Sequence, residues 1–370
     1  MVLALSLLAI PFVAELGLRW LLFGDDPLAR RFGAGLRHAE LYTDFSHDEA
    51  FWLLHARFDP ALLERLETYT RPDPLLGWRS SVLLDGGFEH QAESLLGERR
   101  PVLFYGASFV TPDYTLRLLE TDKADTHGLL TFGIGGFGLG QAWLLERETV
   151  PRFEGRRPLV LFGVVVDADL PRAAMRVREG PKPSFSMAAD GTLIHRAADS
   201  ETMRDAVERE SLGITSFLGA WLGGLQSPLP FAREAAVERR AERHARVLPV
   251  NLALIRSAHD TAMTSGGEFA VILLHGTPAL RREPDWTESE LISYLEREGI
   301  AYLDSRRLFD AAQQRGRDLD ELFFPPGHAE ENHPNEAGRA LIAKLLELAI
   351  EGHRDHSRST ASPYSAALAE

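Results

Sequence analysis

Five short apolar runs, each leading into a helix-patterned stretch, constrain this chain more than any other feature. PVLFY (101–105), GLLTF (128–132), PLVLFGVVV (158–166), EFAVILLH (268–275) and IAYLD (300–304) read as strands, and their largely unbroken hydrophobicity suits strands covered on both faces. Helical patterns lie between them at 140–148, 235–264 and 287–297. A last helix is predicted over 335–350, apolar at 337, 340, 341, 342, 345, 346, 348 and 349, a face wide enough to pack onto a sheet. Strand–helix alternation calls for parallel strands, right-handed crossovers and helices on both faces. The predicted fold class is therefore α/β: a three-layer, flavodoxin-like α/β/α sandwich with a parallel five-stranded sheet of order 2-1-3-4-5. In such sheets ligands bind outside the carboxyl ends of the strands, at the switch point between the first and the third.

That rule directs attention to two loops. The first strand ends in YGASFV, and Ser108 lies just past it; the loop after the third strand begins at Asp167. A Gly–Ser turn after a strand also suits a helix cap, because a serine hydroxyl accepts a bond from an unpaired helical N–H. The long interval from about 170 to 247 holds KPSFSMAADGTLIHR, whose Asp190-Gly191 between apolar runs signals a hairpin. The inserted hairpin and the polar helix at 231–247 either cover a site at the sheet edge or form a surface excursion.

The 370 residues suffice for one large or two modest domains. Forty basic against 54 acidic residues, a net charge of −14, argue against nucleic acid as a partner, since that binding rests on basic patches. The run ERRAERHAR (238–246) reads as a solvated helix face. There are no cysteines, which excludes disulfides, thiolate chemistry and Cys-based zinc sites. At the N-terminus, MVLALSLLAIPFVA is uncharged, and with its amphiphilic continuation to Phe23 it reaches roughly 22 residues, near the ~20 that a bilayer requires. Residues 1–23 are expected to form a membrane anchor, with a cleaved signal or a buried core helix as the alternatives. Arg19, Arg30, Arg31 and Arg37 follow, and by the positive-inside rule they disfavour an exported body. Residues 24–95, with turn signals at RPDPLLGW (71–78) and LLDGGF (83–88), read as an N-terminal cap. A domain over 96–352 and a disordered tail over 353–370 complete the expected division.

A serine nucleophile needs a base in hydrogen-bond reach, a group that orients the base, and donors for the oxyanion. GHAEENHPNEAGRALIA (327–343) brings His333 into a turn that opens the last helix, with Glu330 and Glu331 just upstream. TFGIGGFGLGQAWLLE (131–146) carries glycines at 133, 135, 136, 138 and 140. Gly133, Gly135 and Gly138 match G-x-G-x-x-G, but no acidic residue ends a strand about 20 residues on, as a ribose contact requires. The glycines otherwise allow backbone N–H groups to approach an oxyanion. His275, at the end of the fourth strand, either lines the site or is a hydrogen-bonded structural histidine.

Taken in chain order, these stretches resemble the SGNH (GDSL-like) hydrolase family over about residues 100–350. YGASFV is similar to the family's Gly-Asp-Ser-Phe-Thr block, which makes Ser108 the matching nucleophile. FGIGGFGLGQ resembles the second block, so Gly136 would donate its backbone N–H to the oxyanion beside the N–H of Ser108. FGVVVDADL (162–170) stands where the family carries Gly-x-Asn-Asp, and ENHPNEAG resembles Asp-x-x-His-Pro-Asn, making His333 the base. DPLLGWR (73–79) looks like a segment preceding this domain in membrane-anchored relatives.

Three departures qualify what the resemblance implies. Ala107 replaces an Asp of the first block. Glu330, three before the histidine, or alternatively Glu331, must stand in for the triad Asp. Asp167 replaces the oxyanion-hole Asn, so that corner holds either a repelling carboxylate or a buried, protonated acid that donates. The resemblance implies a serine esterase removing short acyl groups, acetyl among them, from an envelope glycan or other small ester. It implies no metal or organic cofactor; with residues 1–23 as the anchor, the expected place is the membrane at the cell-envelope or periplasmic face, its orientation left open. An O-acyltransferase using the same residues and an inactive SGNH-fold binding module are the alternatives.

Overall fold

The computed structural model describes residues 2–44, 48–80, 96–328 and 330–352, with side chains from residue 9 onward. The turn expected at 83–88 and the tail at 353–370 lie outside the described residues. The chain divides into two units. One gathers Met1–Trp78, Met175–Lys182 and Ala197–Arg246, so most of the long interval after the third strand joins the N-terminal region. The other comprises Arg79–Ala174, Pro183–Arg196 and Val247–Glu370 and holds the sheet.

The sheet strands are β1 (Arg100–Gly106), β2 (His127–Gly133), β3 (Leu159–Val165), β4 (Glu268–Leu274) and β5 (Tyr302–Asp304). All pair in parallel, and they lie in the order β2-β1-β3-β4-β5. β3 is buried along its whole length, the signature of a strand covered on both faces. On one face Val102, Phe104, Leu161, Ala270 and Ile272 pack with Leu308 and Phe309 of the helix Ser305–Gln314 and with Leu341, Ile342 and Leu345 of the helix Glu336–Ile350. On the other, the Tyr105 hydroxyl meets Thr149 Oγ1 at 2.7 Å, at the end of the helix Leu139–Thr149, and His259 of the helix Pro230–Thr264 sets its ring edge-on to Phe269. β1 and β3 are neighbours whose connections leave in opposite directions along the sheet, so a crevice opens beyond their carboxyl ends. The predicted hairpin is present: Ser184–Met187 pairs antiparallel with Leu193–Arg196, with Gly191 at φ 84 in the turn.

The N-terminal unit holds the segment expected to be an anchor. Val2–Phe23 is one helix, but among the described residues no helix is long and apolar enough to cross a membrane. In its second half the Glu15 carboxylate accepts bonds from Ser216 Oγ, Phe217 N and Leu218 N at 2.8–3.0 Å. Arg19 donates to Glu15 and to the Thr215 carbonyl. Leu18 and Leu22 are buried in a cluster with Tyr42, Phe51 and Phe217. The helix therefore ends as a packed element of its own unit, although Phe12 and Trp20 remain 66% and 46% exposed. DPLLGWR has a local role here too: Trp78 is buried, and a Cβ on Gly180 would stand 2.8 Å from its ring.

Candidate active site

Ser108 stands at the carboxyl end of β1, part-exposed in an otherwise buried turn. The turn is tight: a Cβ on Gly106 would come within 2.7 Å of Val110 Cγ2 and 3.2 Å of the Gly163 carbonyl. Val110 N–H closes it on the Ala107 carbonyl at 3.0 Å. The helix that follows begins only at Asp113, with Pro112 at the cap position. Ser108 is thus no helix cap, and its hydroxyl is engaged elsewhere. Its Oγ lies 2.7 Å from His333 Nε2, across 225 positions of sequence.

The last loop fixes that imidazole. Asn335 caps the helix Glu336–Ile350, its Oδ1 accepting from the N–H groups of Ala337 and Gly338. Its Nδ2 donates to the carbonyls of Glu321 and Phe323, and Phe324 N–H donates to the His333 carbonyl at 3.0 Å. Asn332, at φ 66, turns the chain back, and the ring packs on Phe109 with centroids 4.7 Å apart. His333 Nδ1 faces the Glu331 carbonyl oxygen at 3.2 Å. Because a carbonyl only accepts, Nδ1 carries the proton and Nε2 is left to accept from the serine. Burial lowers the imidazole below its ordinary 6.5; hydrogen bonds with the Glu331 and Glu330 backbones and the Glu330 charge oppose this without overcoming it, and the Arg172 charge adds to the lowering. A neutral imidazole is the form that can take a proton.

The expected orienting carboxylate is not where the motif puts it. The Glu330 side chain accepts from Arg339 at 2.9 Å, and Arg339 also holds Asp113 at 2.6 Å. Glu331 Oε2 accepts from Gly327 N–H at 2.9 Å. Among the described residues neither carboxylate hydrogen-bonds the ring, and the orienting acceptor is the Glu331 main-chain carbonyl. Glu330 is drawn away because a guanidinium on the next helix gives it a charge-assisted partner, stronger than a neutral donor.

On the oxyanion side, Gly136 has φ 81, in the left-handed region that favours glycine. Among the described residues neither the Ser108 nor the Gly136 N–H has an acceptor, which leaves both available to a ligand oxygen. Gly138 and Gly140 of this loop serve close packing rather than a pyrophosphate. A Cβ on Gly138 would stand 2.9 Å from Arg172 Cβ, and one on Gly140 would fall on the Phe185 ring. Asp167 is part-exposed, and its Oδ1 is buried without a hydrogen-bond partner. Its Oδ2 lies 3.7 Å from where a Cβ on Gly276 would be. It makes no bond to Ser108 or Gly136.

Sequence reasoning missed Asp169, Arg172 and Asn251. Asn251, fully buried, donates to the Leu170 carbonyl at 2.7 Å and so holds the loop after β3. The sequence signal was slight: two acids and an arginine within DADLPR, just after a buried strand. His275 belongs to a separate buried cluster, bonded to Ser305 Oγ and Glu288 Oε1. Among the described residues no group of three His, Asp or Glu side chains could hold a metal ion.

No family model matches the chain, and no curated protein matches it. Among solved structures, the crystal structure of protein YxiM from Bacillus subtilis is similar at 12% identity, with a TM-score of 0.39. The match covers 69% of this chain and 57% of that one, so it spans less than two thirds of YxiM's length.

Proposed function

We propose that the protein is a serine ester hydrolase of the SGNH kind, with Ser108 as nucleophile and His333 as base. The observation that carries the reading is the 2.7 Å contact between Ser108 Oγ and His333 Nε2 at the carboxyl end of β1. In the reaction, Nε2 takes the hydroxyl proton as Oγ attacks the ester carbonyl carbon. The carbonyl oxygen, now an oxyanion, is received by the N–H groups of Ser108 and Gly136. The intermediate collapses as the imidazolium returns its proton to the departing alcohol, leaving an acyl-enzyme. Water, deprotonated by the same Nε2, then releases the acid.

The orienting group in this scheme is the Glu331 carbonyl, which fixes the tautomer but offers no full negative charge to the imidazolium. The expected substrates are short acyl esters, acetyl esters of a glycan among them. An acyltransferase would share every step up to the acyl-enzyme and differ only in passing the acyl group to a hydroxyl. One observation favours a second reading, a binding module without turnover: the residue that stands where the family has a neutral donor is Asp167, whose Oδ1 is buried without a partner among the described residues. A fluorophosphonate probe separates the two. Labelling at Ser108, with hydrolysis of a small aryl acetate, supports the esterase; a serine that neither labels nor turns over leaves the binding module.

A further inference from the structure

The loop after β3 carries a charged pair to which the reaction above gives no role. Asp169 is 1% exposed and Arg172 8%. Asp169 Oδ2 accepts from Val165 N–H at 2.9 Å, folding the loop onto the end of β3, and its Oδ1 accepts from Arg172 NH1 at 2.7 Å. The same guanidinium nitrogen donates at 3.0 Å to the carbonyl of Phe137, the residue after Gly136. The stem of Arg172 lies against Gly138, where a Cβ would meet its Cβ at 2.9 Å. From Phe137 the chain of bonds continues through its N–H to the Ile134 carbonyl, and through Ile134 N–H to the Gly106 carbonyl beside the nucleophile turn. One side chain thus links the loop after β3 to the loop after β2, which in turn bonds to the end of β1.

We propose that Arg172 is the positioning residue of the oxyanion cradle: by tying the Phe137 carbonyl to Asp169, it fixes the Gly136 N–H in register with that of Ser108. The assignment rests on the esterase reading. It accounts for a buried arginine beside a glycine-rich loop, since NH1 carries two N–H groups, one for each acceptor, at the end of a stem long enough to reach both. It also supplies a readout independent of turnover. The Arg172 charge opposes protonation of His333, whereas Glu330 favours it.

The test uses the full chain with Arg172→Gln and Arg172→Lys, measuring kcat and KM for an aryl acetate and the NMR titration of His333. Both variants have side chains shorter than arginine and withdraw the donor from the Phe137 carbonyl, so kcat should fall toward the ~10²-fold typical of a lost oxyanion donor while KM stays within about threefold. Only the Gln variant loses the charge, so His333 should titrate at higher pH in Arg172→Gln and stay in place in Arg172→Lys. If Arg172→Gln fails to fold, Arg172→Lys, which keeps charge and bulk, decides on kcat. Variants whose kcat stays native, or whose loss lies in KM alone, overturn the positioning role while native labelling at Ser108 leaves the esterase standing. A native chain that neither labels nor hydrolyses sinks both.

Discussion

Two serine–histidine pairs lie beyond the carboxyl ends of the same sheet, and the better-bonded one is the poorer candidate for catalysis. Ser305 Oγ lies 3.0 Å from His275 Nδ1, whose Nε2 lies 3.1 Å from Glu288 Oε1. Arg306 forks onto both Glu288 oxygens at 2.8 Å. By hydrogen bonds alone this is a complete Ser–His–Glu triad. Yet Ser305 and His275 are fully buried, and the serine opens the helix Ser305–Gln314, where no substrate carbon can approach. Ser108 has a partner histidine oriented by a carbonyl, but it is part-exposed, and among the described residues its own N–H has no acceptor. A nucleophile needs access and an electrostatic cradle; a buried polar network needs only to be fully satisfied.

The largest expected effect tests that contrast directly. Ser108→Ala should abolish fluorophosphonate labelling and lower kcat by roughly 10⁵- to 10⁶-fold, as losing a nucleophile does in serine hydrolases. Ser305→Ala should leave the rate within about threefold. The reverse pattern, with activity lost at Ser305 and kept at Ser108, would invert the comparison.

The buried triad should instead govern stability. Glu288 is desolvated, which raises its pKa, but its bonds and charge interactions with His275 and Arg306 prevail and hold it at about 2, against an ordinary 4.5. The folded pKa is depressed, so the stabilisation is complete above about 4.5 and is lost as pH falls toward about 2. Glu288→Gln strands Arg306 in the interior and should destabilise by roughly 3–5 kcal/mol, read from urea midpoints at pH 7. Most of that difference should vanish near pH 2. A variant as stable as the native chain at pH 7 would show that the cluster is not a stability device.

Asp167 is the weak point of the proposed catalytic pair. Asp167→Asn replaces a carboxylate with an amide that can donate, and kcat should rise by about tenfold, short of the ~10²–10³ that a full oxyanion donor is worth. An unchanged kcat would place Asp167 outside the cradle.

The sheet was legible because strands covered on both faces write themselves as apolar runs. Four of the five observed strands agree with their runs to within a residue at each end. The fifth begins at Tyr302 rather than Ile300, because Ile300 N–H still bonds to Leu295 at the end of the preceding helix, past Gly299 at φ 65. Ser108 and His333 were legible by motif order alone. Glu330 pairs with Arg339, nine residues on, and nothing in the local spacing ranks that guanidinium against the imidazole. Arg172 could not be read at all: its meaning depends on the Phe137 carbonyl, 35 positions away, and carbonyl partners leave no trace in side-chain sequence. The packing of the N-terminal helix was illegible for a related reason. Its apolar run is real, but Glu15 is tied to backbone N–H groups about 200 residues distant.

The smallest expected effect concerns the carboxylate that the motif favours. In a triad whose histidine is held by a buried carboxylate, neutralising that acid costs about 10⁴-fold in kcat, largely through the wrong tautomer. Here the Glu331 carbonyl sets the tautomer, and Glu330 reaches His333 by charge alone while its side chain pairs with Arg339. Glu330→Gln should therefore lower kcat by less than about tenfold, since an exposed charge contributes little at a distance. The pH profile carries the sharper signature. Glu330 favours the imidazolium, so removing its charge lowers the His333 pKa further, and the acid limb of kcat/KM, already below 6.5, should move to lower pH. Glu331→Gln should leave the limb in place, because its contact with the ring is through the backbone. A 10⁴-fold loss in Glu330→Gln would mean that the carboxylate swings onto Nδ1 when substrate binds, and the difference between the two serine–histidine pairs would then be one of access alone.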